Sequence, residues 1–303
     1  MILRSFDHLI QSAKSCGTRA VAVAGADDPV VLESLALGAD EGLVRPLLFG
    51  DAARIAAELS ALGIDRGWPV VDVRGGDRAT ADAAIGAVRG GDAELVVKGH
   101  MHTATLFKAA LDKATGLPRS GTLSHIVFIE TPCYHKLFAM TDGGLNRFPD
   151  LEMRKEILSN AVDAFHRLGY ARPKVAMLSY VETVSEGCEE TTSCARIAAW
   201  ARGGGVDGAT VEGPLAMDLC LSREVARIKG CEGEVPGDAD IVVVPNITVC
   251  NAAAKAFFLT GATAAGVVLG ASSPIVALSR GDSARTRLCS LALASVLLGA
   301  RAS

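Results

Sequence analysis

Apolar residues along this chain gather into short, β-branched runs. Between the runs lie longer stretches whose apolar positions recur at helical spacing. The runs Ala20–Ala24, Pro46–Phe49, Leu95–Lys98, Ile126–Glu130 and Leu137–Thr141 read as strands, as do Val175–Tyr180, Ala209–Val211, Ile241–Val244, Gly266–Leu269 and Ile275–Leu278. Most are continuously apolar, the signature of strands covered by helices on both faces. The clearest helix is predicted over Leu151–Leu168, where Ile157, Leu158, Ala161, Val162, Phe165 and Leu168 form one stripe. Pro149 and Asp150 mark its start and Gly169 its end. The opening stretch, Met1 to Lys14, has the pattern of an amphipathic helix and lacks the uninterrupted apolar segment of a signal peptide.

Strand–helix alternation of this kind predicts an α/β protein with mainly parallel sheets. The 303 residues leave room for two domains and a cleft between them. Half the residues are hydrophobic and 21% are charged, which excludes a disordered chain. With a net charge of −4 and no basic cluster, neither nucleic acid nor an anionic membrane surface is expected as a partner. No apolar run reaches the roughly 18 residues of a membrane span. Eight cysteines lie scattered without CxxC spacing, as reduced thiols in a cytoplasm would, so the expected location is cytoplasmic.

In parallel α/β folds, ligands bind at the carboxyl ends of strands, where loops enter helix N-termini. Three such turns carry polar residues. In the first, Ile275–Leu278 runs into Ser279-Arg280-Gly281-Asp282-Ser283 and then a helix. The dipole and free N–H groups of a helix start attract anions, and the Arg280 fork suits two phosphate oxygens. Equally, Asp282 or Ser283 is an ordinary N-cap with Arg280 in solvent. In the second, Lys98-Gly99-His100-Met101-His102-Thr103-Ala104-Thr105 follows a strand, and its amine and hydroxyls suit a phosphate. His100 and His102 lack a third metal ligand at a recognisable spacing, so no metal site is expected. The third turn is Thr141-Asp142-Gly143-Gly144-Leu145-Asn146, where Asp142 is a base, a ligand-orienting group or a turn former.

Other features point to structure more than chemistry. Glu182 and Glu212 stand near strand ends, Gly203-Gly204-Gly205 reads as a flexible connection, and no cysteine has a basic neighbour that would activate it.

Taken with Leu123-Ser124-His125, Pro149-Asp150-Leu151-Glu152, Val181-Glu182-Thr183-Val184, Glu212-Gly213-Pro214-Leu215-Ala216 and Gly237-Asp238-Ala239-Asp240-Ile241, these segments resemble the phosphate acetyltransferase/phosphate butyryltransferase family. The butyryl branch is the nearer. The strings occur in register over almost the whole chain. The resemblance implies two α/β domains similar to isocitrate and isopropylmalate dehydrogenases. The first would combine residues 1–120 and 270–303, the second would be the insert 121–269, and the active site would lie in the interdomain cleft. It implies a homodimer acting on acyl-CoA, phosphate and acyl phosphate, with coenzyme A as substrate and no cofactor.

By the same resemblance, Ser279 would hydrogen-bond the acyl oxygen and Arg280 would hold phosphate, with Asp282 the nearest carboxylate. Lys98, His102, Thr103, Thr105, Asp142 and Asn146 would contact substrate. Acetyl enzymes carry an aspartate seven residues after the serine, where this chain has Thr286; the general base is therefore unassigned, and bound phosphate is one choice. Gly143-Gly144 replaces the small alanine-type residues common in relatives. Direct transfer in a ternary complex needs no covalent enzyme intermediate. Two other readings compete. A nicotinamide-dependent hydroxy-acid dehydrogenase would want G-x-G-x-x-G after the early strand, where Ala24-Gly25-Ala26-Asp27-Asp28 stands instead. A non-catalytic acyl-CoA-binding protein has no need of Ser279, Arg280, Lys98 and Thr103.

Overall fold

A computed structural model describes residues 3–117, 121–277 and 281–299. The chain divides into two compact units, Asp7–Gly121 with Ala265–Ser303, and Met1–Phe6 with Thr122–Ala264. It opens on α1 (Phe6–Ser15), whose Leu9, Ile10 and Ala13 are buried. There follow β1 (Arg19–Ala24), α2 (Pro29–Asp40), β2 (Val44–Gly50) and α3 (Ala52–Ala61). Next come β3 (Val70–Asp72), α4 (Gly76–Gly90), β4 (Leu95–Lys98) and α5 (Thr103–Ala110).

The insert holds β5 (Ser124–Glu130), β6 (Phe138–Thr141), α6 (Leu151–Arg167), β7 (Lys174–Leu178), α7 (Glu189–Trp200) and β8 (Thr210–Leu215). It continues with α8 (Met217–Leu221), α9 (Arg223–Ile228), β9 (Ile241–Val243) and α10 (Ile247–Leu259). The chain returns through β10 (Thr263–Leu269), β11 (Ile275–Ala277) and α11 (Ala284–Gly299).

In the unit formed by both ends of the chain, the strands follow the order β3-β2-β1-β4-β11-β10. All pairs are parallel except β10 with β11. Val21–Ala24 and Leu95–Val97 have no exposed surface. Each large apolar side chain buried this way contributes roughly 1.5–3 kcal/mol. Register matters more for function. Ala24 pairs with both Phe49 and Lys98, Gly50 pairs with Asp72, and Ala277 pairs with Lys98. Five strands therefore end side by side, and their following turns share one edge of the unit.

The insert has the order β5-β6-β9-β7-β8, parallel apart from β5 with β6. Val127, Ile129, Phe138, Met140 and Val242 join one core, while Phe128 stacks on Phe165 of α6 at 5.1 Å. Asp150 caps α6 by accepting the Met153 N–H at 2.9 Å, and Gly169 ends it with φ +88°. At the amino ends of these strands, Asp238 accepts from Lys174 at 2.6 Å and pairs with Lys136 and Arg223. Burial alone would raise the Asp238 pKa, but the hydrogen bonds and charge of Lys174, Lys136 and Arg223 outweigh it, and the carboxyl is held well below its ordinary range. That cluster faces away from the carboxyl ends and serves the fold.

The α/β class with a mostly parallel sheet holds as predicted from the sequence. Three local features differ. A short edge strand, β3, occurs where no strand was predicted. Val70–Asp72 are exposed throughout, although Val70, Val71 and the following Val73 are β-branched. Gly203-Gly204-Gly205 extends α7 as a wide π-type turn, with Gly204 at φ +91°. A Cβ at Gly205 would fall 2.1 Å from the Trp200 ring, so the glycines let the chain close over that side chain. Finally, β8 passes through Glu212-Gly213-Pro214 to Leu215, and Glu212 accepts the Glu234 N–H at 3.0 Å. Among the described residues, no helix is long and apolar enough to cross a membrane.

Candidate active site

The turn after β4 is built on a close backbone approach. Gly99 N–H donates to the Ala24 carbonyl at 2.8 Å, and His100 N–H donates to that of Gly25 at 2.7 Å. A Cβ on residue 99 would lie 1.9 Å from the Gly25 carbonyl oxygen, so only glycine fits. The turns after β1 and β4 are thereby locked together. Lys98 ends β4 half-buried, and its Nζ donates to the Gly99 and Met101 carbonyls at 3.0 and 3.2 Å. The amine is folded over its own turn.

His102 occupies the N-cap of α5 in extended conformation, and its side chain makes no capping bond. Its backbone N–H donates to Asp77 Oδ2 at 3.0 Å. Thr103 and Ala104 are exposed and Thr105 is half-buried. The first turn of α5 thus starts without the side-chain oxygen that usually satisfies its N–H groups. Those groups, two threonine hydroxyls and the nearby Lys98 amine make an arrangement that attracts an anion.

Beside this turn lies a cavity of about 500 Å³ at the carboxyl ends of β1 to β4. Its walls include Asp27, Asp51, Arg54, Arg74, His100 and His102. Asp27 pairs with Arg54 at 2.6 Å and stands 3.7 Å from His100 Nδ1. Asp51 caps α3, accepting the Ala53 and Arg54 N–H groups at 3.0 and 3.2 Å. Arg74 bonds Asp72 at 2.9 Å. The Ala52 N–H, with Arg74, lowers the Asp72 pKa, and Asp72 in turn raises that of Arg74. Sequence reasoning missed this cavity. The signal was present: Gly25-Ala26-Asp27, Gly50-Asp51 and Gly75-Gly76-Asp77 each place an aspartate just beyond a glycine where a strand gives way to a helix.

In the insert, the turn after β6 is arranged differently. Asp142 is 2% exposed. Its Oδ1 accepts the Gly144 and Leu145 N–H groups at 2.7 and 3.0 Å. Its Oδ2 accepts the Asn146 N–H at 3.2 Å and Asn146 Nδ2 at 2.5 Å. Asn146 Nδ2 also donates to the Leu123 carbonyl at 2.8 Å. A Cβ on Gly143 would come within 2.9 Å of His125 Nδ1, which explains a glycine at that place. Both polar side chains singled out in this turn hold the loop itself.

Ser279 and Arg280 lie outside the described residues. Of their turn, Asp282 is half-buried and Ser283 is exposed. Ser283 is the N-cap of α11: its Oγ accepts the Thr286 N–H at 3.0 Å and donates to Thr286 Oγ1 at 3.1 Å. The capping role left open between Asp282 and Ser283 belongs to Ser283. Thr286, at the place of the acetyl enzymes' aspartate, is engaged with that cap. Within one unit, then, the described residues Lys98, His102, Thr103, Thr105 and Asp282 lie on turns following the adjacent strands β4 and β11, while Asp142 and Asn146 belong to the other unit.

Residues 77–295 match the family model described as phosphate acetyl/butaryl transferase. The chain belongs to that family. It is 38% identical to a phosphate acetyltransferase of Rhizobium meliloti, covering 98% of this chain and 94% of that one. It is 35% identical to a phosphate butyryltransferase of Clostridium acetobutylicum, covering 98% and 99%. Among solved structures, a branched-chain phosphotransacylase from Enterococcus faecalis superposes with a TM-score of 0.81 at 30% identity, covering 92% of this chain and 99% of that one. The family is one of acyltransferases, and the acyltransferase expectation from the sequence is borne out at that level.

Proposed function

We propose that this chain transfers a short acyl group, butyryl in type, between coenzyme A and inorganic phosphate. The observation that carries the reading within the family is the β4–α5 turn: α5 starts at Thr103 without a side-chain cap, and Lys98, whose Nζ donates to the Gly99 and Met101 carbonyls, brings a positive charge to that start. In the proposed reaction a phosphate oxygen attacks the thioester carbonyl. A C–O bond forms, the carbonyl oxygen becomes an oxyanion, and the C–S bond then breaks to release the coenzyme A thiolate. In reverse, the thiol must lose its proton before attack. Ser279 would donate to the oxyanion, and Arg280, Lys98, His102, Thr103 and Thr105 would hold phosphate. Asp282 is the carboxylate nearest that turn in sequence; bound phosphate is the other acceptor for the thiol proton. Asp142 and Asn146 contribute by holding their loop in shape. Direct transfer in a ternary complex suits this set, since no activated nucleophile is needed.

The butyryl assignment is supported by Thr286, whose hydroxyl is tied to the Ser283 cap and is no substitute for an aspartate base. We further read the two compact units as the two expected α/β domains. We read the protein as a cytoplasmic homodimer, consistent with free cysteines and with Phe258 and Leu259 exposed at the end of α10.

The purified protein is expected to release thiol from butyryl-CoA only when phosphate is added. Phosphate-independent release, or none with acyl chains of two to five carbons, would sink the proposal. Comparing kcat/KM for acetyl-, propionyl-, butyryl- and isobutyryl-CoA tests the butyryl preference. One methylene in an apolar pocket discriminates by about 1–3 kcal/mol, so a true preference should reach roughly tenfold.

A further inference from the structure

Arg287, on α11, is 8% exposed. Among the described residues its guanidinium has no hydrogen-bond or ion-pair partner, and its Nε is fully buried and unsatisfied. A guanidinium carries five donors and does not lose its charge in a protein. A buried donor left unpaired is unfavourable, and a mostly buried cation is stabilised by a counter-charge at its remaining donors. Neighbouring arginines are treated otherwise. Arg285 pairs with Asp7 at 2.5 Å. Arg154, also buried and in the other unit, has an unsatisfied Nε as well, but its terminal nitrogens donate to Ser193 Oγ at 2.7 Å and Cys194 Sγ at 3.4 Å.

The position of Arg287 shows where its charge is directed. One turn further along α11, Ser290 Oγ accepts the Gly266 N–H at 3.0 Å. The antiparallel pairing of Val268 with Ile275 sets Gly266 beside Ala277, the last described residue of β11. Ser290 therefore marks the level at which β11 ends. Arg287 is three residues nearer the helix start, and helical side chains lean toward the N-terminus. Its guanidinium thus projects past the carboxyl ends of β11 and of β4, whose terminal Lys98 is in register with Ala277. The positive end of the α11 dipole points to the same place.

We propose that Arg287 is an anion-holding residue of the acyl-transfer site, donating to two oxygens of a phosphoryl group. The proposal rests on the acyltransferase reading above. Phosphoryl oxygens reach that site from two sources, inorganic phosphate and the phosphates of coenzyme A, and the test separates them.

Arg287→Met and Arg287→Lys are made in the full chain, and two properties are measured. The first is the rise in melting temperature caused by inorganic phosphate alone; the second is KM for phosphate, butyryl-CoA and butyryl-dephospho-CoA. With phosphate as the ligand, Met abolishes most of the phosphate-induced rise and increases phosphate KM at least tenfold. Butyryl-CoA KM then changes less than threefold, and Lys restores part of both losses. A rise in KM for butyryl-CoA but not for the dephospho substrate supports the same role with coenzyme A as the source. Unchanged KM values and an unchanged phosphate-induced rise overturn the proposal, since a merely structural arginine would alter only the baseline melting temperature. Should the Met variant not fold, Lys carries the test: a phosphate or butyryl-CoA KM raised less than threefold overturns it. Failure of the acyltransferase reading looks different. The wild-type chain would then release no thiol in a phosphate-dependent way, whereas a phosphate-induced melting rise lost in Arg287→Met would still mark the anion site.

Discussion

The turns after β4 and β6 both leave a buried strand, both contain glycine, and both deliver a polar side chain that sequence reasoning singled out. They use those groups in opposite ways. After β6, the Asp142 carboxylate takes donors from Gly144, Leu145 and Asn146 of its own loop, and little of it faces water. After β4, the backbone is fixed mainly by the Gly99 contact with the neighbouring turn, helped by Lys98 and Asp77, and the threonine hydroxyls are not drawn into holding it. Thr103 stays exposed and α5 begins without a side-chain cap. A turn secured by backbone packing leaves its polar groups for a ligand, whereas a turn secured by a carboxylate consumes them.

The largest test of that contrast is Asp142→Ala. Removing the carboxylate strands three backbone N–H groups and an amide in a mostly buried loop. Each unmade bond costs about 1–3 kcal/mol when buried, and the loop is partly hydrated, so the sum should be about 3 kcal/mol. For a chain of 303 residues, that lowers the melting temperature by roughly 5 °C. If thermal unfolding shows no shift while activity disappears, Asp142 is a reacting group and the contrast fails.

Thr103→Val should do the reverse. The side chain is exposed, and both residues are β-branched, so stability should move by no more than about 0.5 kcal/mol. Losing a hydrogen bond to a charged phosphate costs about 1.5–3 kcal/mol, or about 10- to 150-fold in kcat/KM. Steady-state kinetics at varied phosphate, with a melting curve on the same sample, gives both numbers. A loss of stability without a loss of rate would assign Thr103 to the fold.

How much of this was readable from the sequence depended on whether the cause was local. Leu95–Lys98 and the capped start of α6 at Asp150 were legible because burial and capping leave their mark within a few residues. Val70–Asp72 was not, because its short run of valines, broken by Asp72, is a weak strand signal in the sequence. The role of Asp142 stayed open because an aspartate followed by two glycines has the same composition as a base and as a turn former. Only the positions of the next N–H groups decide between them. The cavity walls come from turns as far apart as Gly25 and His102, joined only through the parallel order β3-β2-β1-β4. Arg287 reads as one more helix arginine until its missing partner is seen.

The finest test adds a cap where the protein has none. At the start of α11, Ser283 accepts the Thr286 N–H, the bond that α5 lacks at His102. His102→Asp would supply it, and a good N-cap contributes about 0.5–1 kcal/mol. The carboxylate would then occupy the N–H groups proposed for phosphate and repel the incoming anion as well. Stability should rise slightly while phosphate KM increases several-fold. Two controls divide the causes: His102→Ala removes the imidazole without adding a cap, and His102→Asn adds a cap without charge. If the N-terminus of α5 is the anion site, Asn weakens phosphate use more than Ala does, because only Asn competes for the donors. Equal effects of Asn and Ala would show that the imidazole alone mattered, and the free helix start would lose its place in the comparison.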